Sequence, residues 1–232
     1  MSKKLNIHNK IVNTFWYKKE DGSELLLTLN YTPGHKAYDE KILEIKGQEY
    51  RVWNPNRSKI AAAIIKKLQI IPITQNSHIL YLGAASGTTC SHLSDILRDQ
   101  GIIYCIEFSS RVIRELVRIC EVRKNLIPIL GDVRYPYQYR MLIPEQVDMI
   151  YSDVAQPEQA QIIVKNAETF LKSQGWILLF VKSRSVDVTM DPKRVYKEQI
   201  EILKKNHFNV VEVLFIDPFS EDHALIVAQW QK

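Results

Sequence analysis

Apolar residues fall in short runs along most of the chain, and these runs alternate with amphipathic stretches of helix length. From Ile79 onward the pattern predicts five strands, near 79–82, 102–107, 126–130, 147–152 and 175–181. It predicts helices near 88–99, 110–123, 158–172 and 191–206. Strands that lack polar alternation are typical of a parallel sheet whose two faces are both covered. This part of the sequence therefore indicates an α/β fold.

The last two apolar runs, 209–216 and 224–230, differ because only seven residues separate them. A connection this short cannot make a parallel crossover, so the two strands are expected to pair antiparallel. A parallel sheet that ends in one antiparallel hairpin is typical of methyltransferases that use S-adenosylmethionine (SAM). We therefore predict a Rossmann-like, mostly parallel seven-stranded sheet with a terminal antiparallel hairpin.

The first quarter of the chain has a different pattern. Strand-like runs at 10–17, 24–31, 41–45 and 49–53 are joined by polar, glycine-containing turns. These runs predict a small antiparallel β domain over residues 1–56. Asn54-Pro55-Asn56 then ends it, and Asn56 is expected to cap a helix over 57–68. Residues 57–232 are predicted to form the second domain, which contains the methyltransferase fold.

The segment from Ile79 to Thr89 is a strand, a loop of small residues and the start of a helix. Its sequence lacks the Lys-Ser/Thr pair that a phosphate-binding P-loop needs after its last glycine. It also has two glycines, Gly83 and Gly87, where a dinucleotide fingerprint has three. SAM carries no pyrophosphate, so Gly83, Ala85 and Gly87 suit a SAM loop. Alone, the segment is equally compatible with a plain tight turn.

The next two strand ends supply groups for an adenosine. Glu107 follows Gly87 by twenty residues and is placed to accept hydrogen bonds from ribose hydroxyls. Phe108 can lie against the adenine ring, and Asp132 can accept from the adenine amino group. Together with the loop, these residues favour an adenosine-containing cofactor.

Asp153 and Lys182 follow the fourth and fifth strands of this sheet, which places opposite charges beside the expected sulfonium. A lysine there can orient or deprotonate a ribose 2′-hydroxyl. We expect Asp153 to hold the ammonium group of Lys182, and a purely structural ion pair is the alternative. Lys59 and His223 can complete this set, although taken without a family comparison both are more simply read as surface residues. Asp-Val-Ala-Gln after the fourth strand argues against amino-methylating enzymes of nucleic acid bases.

Composition narrows the class of protein further. A net charge of +5 is compatible with a polyanionic partner but is a weak signal alone. The three cysteines never have CxxC spacing and the six histidines show no HExxH pair, so no metal site or disulfide framework is predicted. No secretory signal and no apolar run of membrane length is found. We expect a cytoplasmic protein that does not enter a membrane.

Several short blocks together carry a resemblance to one family. They are Tyr50–Lys59, Gly83–Thr89, Glu107–Ser109, Gly131–Arg134, Asp153–Pro157 and Lys182–Ser185. In these blocks the chain resembles the fibrillarins, which are guide-directed RNA 2′-O-methyltransferases, and the resemblance covers almost the whole chain. Val133 and Ser183 stand where alanine is common in the family. The glycine–arginine-rich extension of eukaryotic members is absent, which suits the archaeal type.

The resemblance implies a catalytic set of Lys59, Asp153, Lys182 and His223. It implies that SAM is the methyl donor and that its contacts fall on ten positions. These are Thr88, Thr89, Glu107, Phe108, Asp132, Val133, Asp153, Val154, Ala155 and Gln156.

The resemblance also implies a substrate and partners. The substrate is ribosomal RNA, with transfer RNA as a further candidate, and a box C/D guide RNA selects the nucleotide. The protein partners are a Nop-domain scaffold protein and a kink-turn-binding protein. Three alternatives remain: a stand-alone RNA methyltransferase, a non-catalytic ribonucleoprotein subunit, and a nicotinamide-dependent oxidoreductase.

Overall fold

The structure is a computed structural model that describes residues 5–232. Its N-terminal part is a five-stranded antiparallel sheet with strand order β1-β2-β3-β5-β4. The strands are β1 (Leu5–Ile7), β2 (Thr14–Lys18), β3 (Glu24–Leu29), β4 (Ile42–Ile45) and β5 (Gln48–Val52). The sequence pattern predicted four of these strands. It missed β1, because three residues are too few to show an alternation.

The second sheet has seven strands in the order β11-β12-β10-β9-β6-β7-β8. The strands are β6 (His78–Leu82), β7 (Ile102–Glu107), β8 (Leu126–Leu130), β9 (Val147–Ser152), β10 (Leu171–Lys182), β11 (Phe208–Phe215) and β12 (His223–Trp230). Strands β6 to β10 pair in parallel, whereas β12 pairs antiparallel with both β10 and β11. This topology confirms the predicted fold class and its terminal hairpin.

Helices cover both faces of the second sheet. They are α1 (Lys59–Ile65), α2 (Thr88–Leu97), α3 (Ile113–Val122), α4 (Gln159–Phe170), α5 (Ser183–Val186) and α6 (Pro192–Lys205), with 3-10 turns at Pro136–Gln138 and Arg140–Leu142. Apolar side chains of α1, α2 and α3 belong to one buried cluster, and those of α4 and α6 to the other. Within residues 5–232, no helix is both long enough and apolar enough to cross a membrane.

The start of α1 differs from the prediction. Asn56 does not cap the helix; Ser58 is the capping residue, and α1 begins at Lys59. The Asn54 side chain explains the shift, since its oxygen accepts a hydrogen bond from the backbone N–H of Asn56 at 2.9 Å. The Asn54 carbonyl accepts from Arg57 N–H at 3.0 Å. These bonds hold residues 54–57 in a turn, so Lys59 stands in the first turn of the helix.

Strand β10 begins earlier than predicted, at Leu171 and not near residue 175. The first half of this strand could not be predicted from hydrophobicity, because it contains the polar residues Lys172, Ser173 and Gln174. Gln174 has a φ of 60°, and the pairing with β9 shifts register between Leu171 and Trp176. This irregularity lets the strand carry polar residues before its apolar run.

A buried network of charges joins the N-terminal sheet to α2. Arg51 of β5 contacts both Glu40 and Asp95 at 2.7 Å, and Arg123 contacts Asp95 at 2.6 Å. Charges this deeply buried are tolerated only when they are paired and hydrogen-bonded. The network therefore fixes α2, which carries the candidate cofactor loop at its N-terminus, against the first sheet. The domain boundary at residue 56 stays a prediction.

Candidate active site

The loop between β6 and α2 depends on glycine at both of its ends. Gly83 has a φ of 80°, and a Cβ atom there would lie 2.8 Å from the carbonyl oxygen of Asp153. Gly87 has a φ of 88°, and a Cβ atom there would lie 2.8 Å from Leu116 Cδ1. Left-handed backbone and close packing each favour glycine. The spacing of the two glycines thus follows from two separate close contacts, one with the segment after β9 and one with α3.

A cavity of about 300 Å³ opens at the carboxyl ends of β6, β7, β8 and β9. It is lined by Gly83, Ala85, Ile106, Glu107, Phe108, Asp132, Val133, Asp153, Val154, Ala155 and Gln156. All of these except Ile106 are predicted cofactor residues. The predicted residues Gly87, Thr88 and Thr89 lie outside this lining, at the start of α2. Their contact with a cofactor stays a prediction.

The carboxylates of the cavity suit the donors of an adenosine. Glu107 is buried, and its two oxygens accept hydrogen bonds from Ala85 N–H at 3.0 Å and Ser109 N–H at 2.8 Å. Each oxygen keeps a second lone pair for a ribose hydroxyl. Hydrogen bonds from Arg134 lower the pKa of Asp132, so this carboxylate is ionised and can accept from an amino group. The residues present therefore fit the adenosine part of SAM.

Asp153 pairs with Lys59 and not with Lys182. The Lys59 Nζ atom lies 2.7 Å from one carboxylate oxygen of Asp153 and 2.8 Å from the other. Our expectation that Asp153 holds the Lys182 ammonium was therefore wrong. The cause is the packing of α1, which brings Lys59 to the end of β9 although 94 residues separate the pair. Both side chains are a quarter exposed at the mouth of the site.

Lys182 and His223 stand opposite each other on β10 and β12. Lys182 is exposed, and its ammonium group forms no ion pair with any described residue. The Nδ1 atom of His223 donates a hydrogen bond to the Glu221 carbonyl at 2.6 Å, which leaves Nε2 as an acceptor. The charges of Lys59, Asp153 and Lys182 all act on the His223 ring. The fold thus brings the four predicted catalytic residues together.

His223 should give methyl transfer an acid limb in its pH profile. Burial lowers the pKa of His223 below 6.5, and the ammonium groups of Lys59 and Lys182 lower it further. Activity that needs the neutral ring should therefore fall as the pH drops through this lowered pKa. The same shift makes the free energy of unfolding decrease below about pH 6.5, because the unfolded chain binds the proton more readily. Transfer rates measured from about pH 5 to 8 should lose the acid limb in His223→Asn. An identical limb in that variant would contradict the assignment.

Gln159 supports this site although no sequence pattern predicts its role. Gln159 is fully buried at the start of α4, and its side chain binds the main chain of Lys182 twice. Its Oε1 accepts from Lys182 N–H at 3.0 Å, and its Nε2 donates to the Lys182 carbonyl at 3.1 Å. Because β9 pairs with β10 only as far as Leu179, the amide replaces the missing strand neighbour. On its other side, the backbone of Lys182 pairs with His223 of β12.

Gln159→Leu should lower kcat of methyl transfer by up to about 10²-fold while SAM affinity stays unchanged, because Lys182 loses one of its two supports. Gln199→Leu is the matched control. Gln199 is also buried, and its Oε1 accepts a backbone hydrogen bond from Ala160 at 2.9 Å, but it does not touch Lys182. Both variants should lose stability in thermal unfolding, whereas kcat should fall only in the first. Equal kcat values would show that Gln159 acts on stability alone.

One further hydrogen bond connects the start of α1, where Lys59 lies, to the start of α2, which follows the cofactor loop. The hydroxyl of Thr89 in α2 donates a hydrogen bond at 3.0 Å to Oγ of Ser58, the residue at the N-cap position of α1. Since Lys59 follows Ser58, this bond fixes the lysine relative to the cofactor loop.

A parallel sheet with a terminal antiparallel hairpin and a carboxylate-lined adenosine cavity defines the class of SAM-dependent, Rossmann-like methyltransferases. Comparison with known proteins identifies the family. The family model described as "Fibrillarin" matches residues 5–232. The "Fibrillarin-like rRNA/tRNA 2'-O-methyltransferase" of Methanocaldococcus jannaschii is 51% identical over 211 residues, which are 91% of each chain. The chain belongs to the fibrillarin family.

Solved structures of relatives agree with this family. Aeropyrum pernix fibrillarin, solved with natively bound SAM, is 46% identical with a TM-score of 0.91, covering 97% of this chain and 98% of that one. A chain of a fibrillarin/Nop5p complex is 39% identical with a TM-score of 0.82, covering 94% of this chain and 97% of that one. The match extends over both sheets of the structure, so the N-terminal sheet is part of the family's architecture.

Proposed function

We propose that this chain transfers a methyl group from SAM to ribose 2′-hydroxyl groups of ribosomal and transfer RNA. The observation that carries the proposal is the cluster of Lys59, Asp153, Lys182 and His223 at the mouth of the adenosine cavity. These groups can position a hydroxyl and take its proton. The M. jannaschii relative is named for this activity, and the A. pernix relative was solved with SAM.

In this proposal the cavity residues hold SAM by its adenosine. Glu107 accepts hydrogen bonds from the ribose, Asp132 accepts from the adenine amino group, and Phe108 covers the base. When bound, SAM supplies an electrophilic methyl group. The paired Lys59 and Asp153 form the side of the site nearest the cavity.

The four clustered residues act on the RNA. The exposed ammonium of Lys182 donates a hydrogen bond to the 2′-oxygen and stabilises the negative charge that develops on it. The neutral His223 ring accepts the hydroxyl proton at Nε2. The new bond joins the 2′-oxygen to the methyl carbon as the bond from sulfur to that carbon breaks. Lys59 holds the Asp153 carboxylate in place during the transfer through its two hydrogen bonds.

We further propose that the chain works as the catalytic subunit of a box C/D ribonucleoprotein, with a guide RNA, a Nop-domain scaffold protein and a kink-turn-binding protein. The complex with Nop5p, solved for a 39% identical relative, supports the scaffold partner. The net charge of only +5 supports delivery of the enzyme by partners, because neutralising many RNA phosphates needs more cations.

The test is methyl transfer from labelled SAM to a target RNA, measured for the chain alone and then with guide RNA and both partner proteins. Activity only in the full assembly is the expected result. Equal activity of the isolated chain would indicate a stand-alone enzyme. SAM binding without transfer in either case would indicate an assembly subunit that has no catalytic role.

A further inference from the structure

A second and larger cavity, of about 420 Å³, lies behind the cofactor loop. We call it the α3 cavity. It is lined by Thr32, residues 35–38, Arg57, the loop residue Ser86 and one side of α3 with the following Arg123. It shares no lining residue with the cofactor cavity, to which Gly83 and Ala85 of the same loop belong. The loop therefore separates two cavities, and the proposed function uses only one of them.

The α3 cavity carries an excess of positive charge. Lys36, Arg57 and Arg118 line it, against the single carboxylate of Glu115. Neither Lys36 nor Arg118 has an ion-pair partner in the part of the chain that the structure describes. Arg57 contacts Asp39 at 3.1 Å, but both side chains are solvent-exposed, and an exposed pair of this kind contributes little. These three cations are therefore available to an anionic ligand.

The remaining cation of the lining, Arg123, is already neutralised by Asp95 in the buried network. It fixes the floor of the cavity instead of adding charge to it. The hydroxyl group of Ser86, which also lines the cavity, adds a further donor. Guanidinium, ammonium and hydroxyl donors around one space are the groups that proteins use to hold phosphate.

We propose that the α3 cavity binds a backbone phosphate of the target RNA strand; this inference rests on the proposed function. The link to the active site is short. Arg57 precedes the catalytic-site residue Lys59 by two positions, so their Cα atoms are at most about 7.6 Å apart. A strand that presents its ribose beside Lys59 can extend from there to Arg57 at the edge of the α3 cavity. The α3 cavity fixes the register of that strand without reading its bases.

Arg118→Gln tests the proposal in the complete complex with guide RNA and partner proteins. A labelled target RNA is titrated at several salt concentrations, and its binding is measured directly as well as through turnover. The variant should raise the Kd and KM for target RNA severalfold and reduce the slope of log affinity against log salt by about one. The kcat at saturating RNA and the affinity for SAM should not change. Lys36→Gln should act in the same direction.

Arg114→Gln is the matched control, because Arg114 is exposed on the same helix but lies outside the lining. It removes the same charge one turn away. The proposal is overturned if Arg118→Gln and Lys36→Gln weaken target binding no more than this control does. It is also overturned if they release the scaffold protein while RNA affinity is unchanged, since the cavity would then hold a protein segment. A wild-type complex that binds its target without methylating it would contradict the proposed function, and the binding comparison would still test the phosphate site.

Discussion

Lys182→Ala should lower kcat of methyl transfer by the assembled complex by about 10²-fold to 10³-fold, the loss that follows removal of one hydrogen-bond donor to a developing negative charge. The affinity for SAM should stay essentially unchanged, because Lys182 does not line the cofactor cavity. Its ammonium has no acidic partner among the described side chains, so it is free to act on the hydroxyl of the RNA. Single-turnover transfer from labelled SAM measures the first effect, and calorimetry measures the second.

Lys172→Ala is the control for that experiment. Lys172 lies at the other end of β10, is exposed, and contacts Asp148 at 2.6 Å on the surface. Its removal takes away the same charge from the same strand without touching the site, so transfer should continue. Retained transfer in Lys182→Ala would remove Lys182 from the mechanism. A parallel loss of SAM binding would place the lysine on the cofactor instead of the nucleophile.

Much of the fold could be predicted because the strands of the parallel sheet are uninterrupted apolar runs. Strands β7, β8 and β9 begin and end where the sequence pattern placed them. Predictions of boundaries failed where a side chain acts on a distant backbone position. Asn54 delays the start of α1 through its own hydrogen bond, and a register shift lets β10 start among polar residues.

The cofactor cavity was more predictable than the catalytic contacts, for a physical reason. Glu107 is the last residue of β7, Asp132 lies two residues after β8 and Asp153 directly follows β9. A parallel sheet places all residues at these strand ends along one edge. The partner of Asp153 depends on how α1 packs on the sheet, which no local pattern contains. The contact of Gln159 with Lys182 is equally long-range. Lys59 and His223 could be identified only through the family resemblance, since each stands in a polar segment that is typical of a surface.

Glu107→Ala should weaken SAM binding by at least about tenfold. Each hydrogen bond between the charged carboxylate and a ribose hydroxyl is worth about 1.5–3 kcal/mol, and about 1.4 kcal/mol corresponds to a tenfold change in Kd. The variant also removes the acceptor for Ala85 N–H and Ser109 N–H, which loosens the cofactor loop. Calorimetry with SAM measures the effect. Glu121→Ala, an exposed position on α3, is the control and should bind SAM normally.

A 2′-deoxyribose analogue of SAM distinguishes two causes of weaker binding in Glu107→Ala. One is the loss of hydrogen bonds from the carboxylate to the ribose, and the other is the loosening of the cofactor loop. If Glu107 binds the ribose, the wild-type chain should bind the analogue more weakly than SAM, and Glu107→Ala should bind the two with nearly equal affinity. This comparison is a double-mutant cycle in which one of the two changes is made on the ligand. If instead the variant still distinguishes SAM from the analogue as strongly as the wild type does, the carboxylate serves only to hold Ala85 and Ser109. Unchanged SAM affinity in Glu107→Ala would exclude both roles, because the loop and the ribose would then be held by other groups.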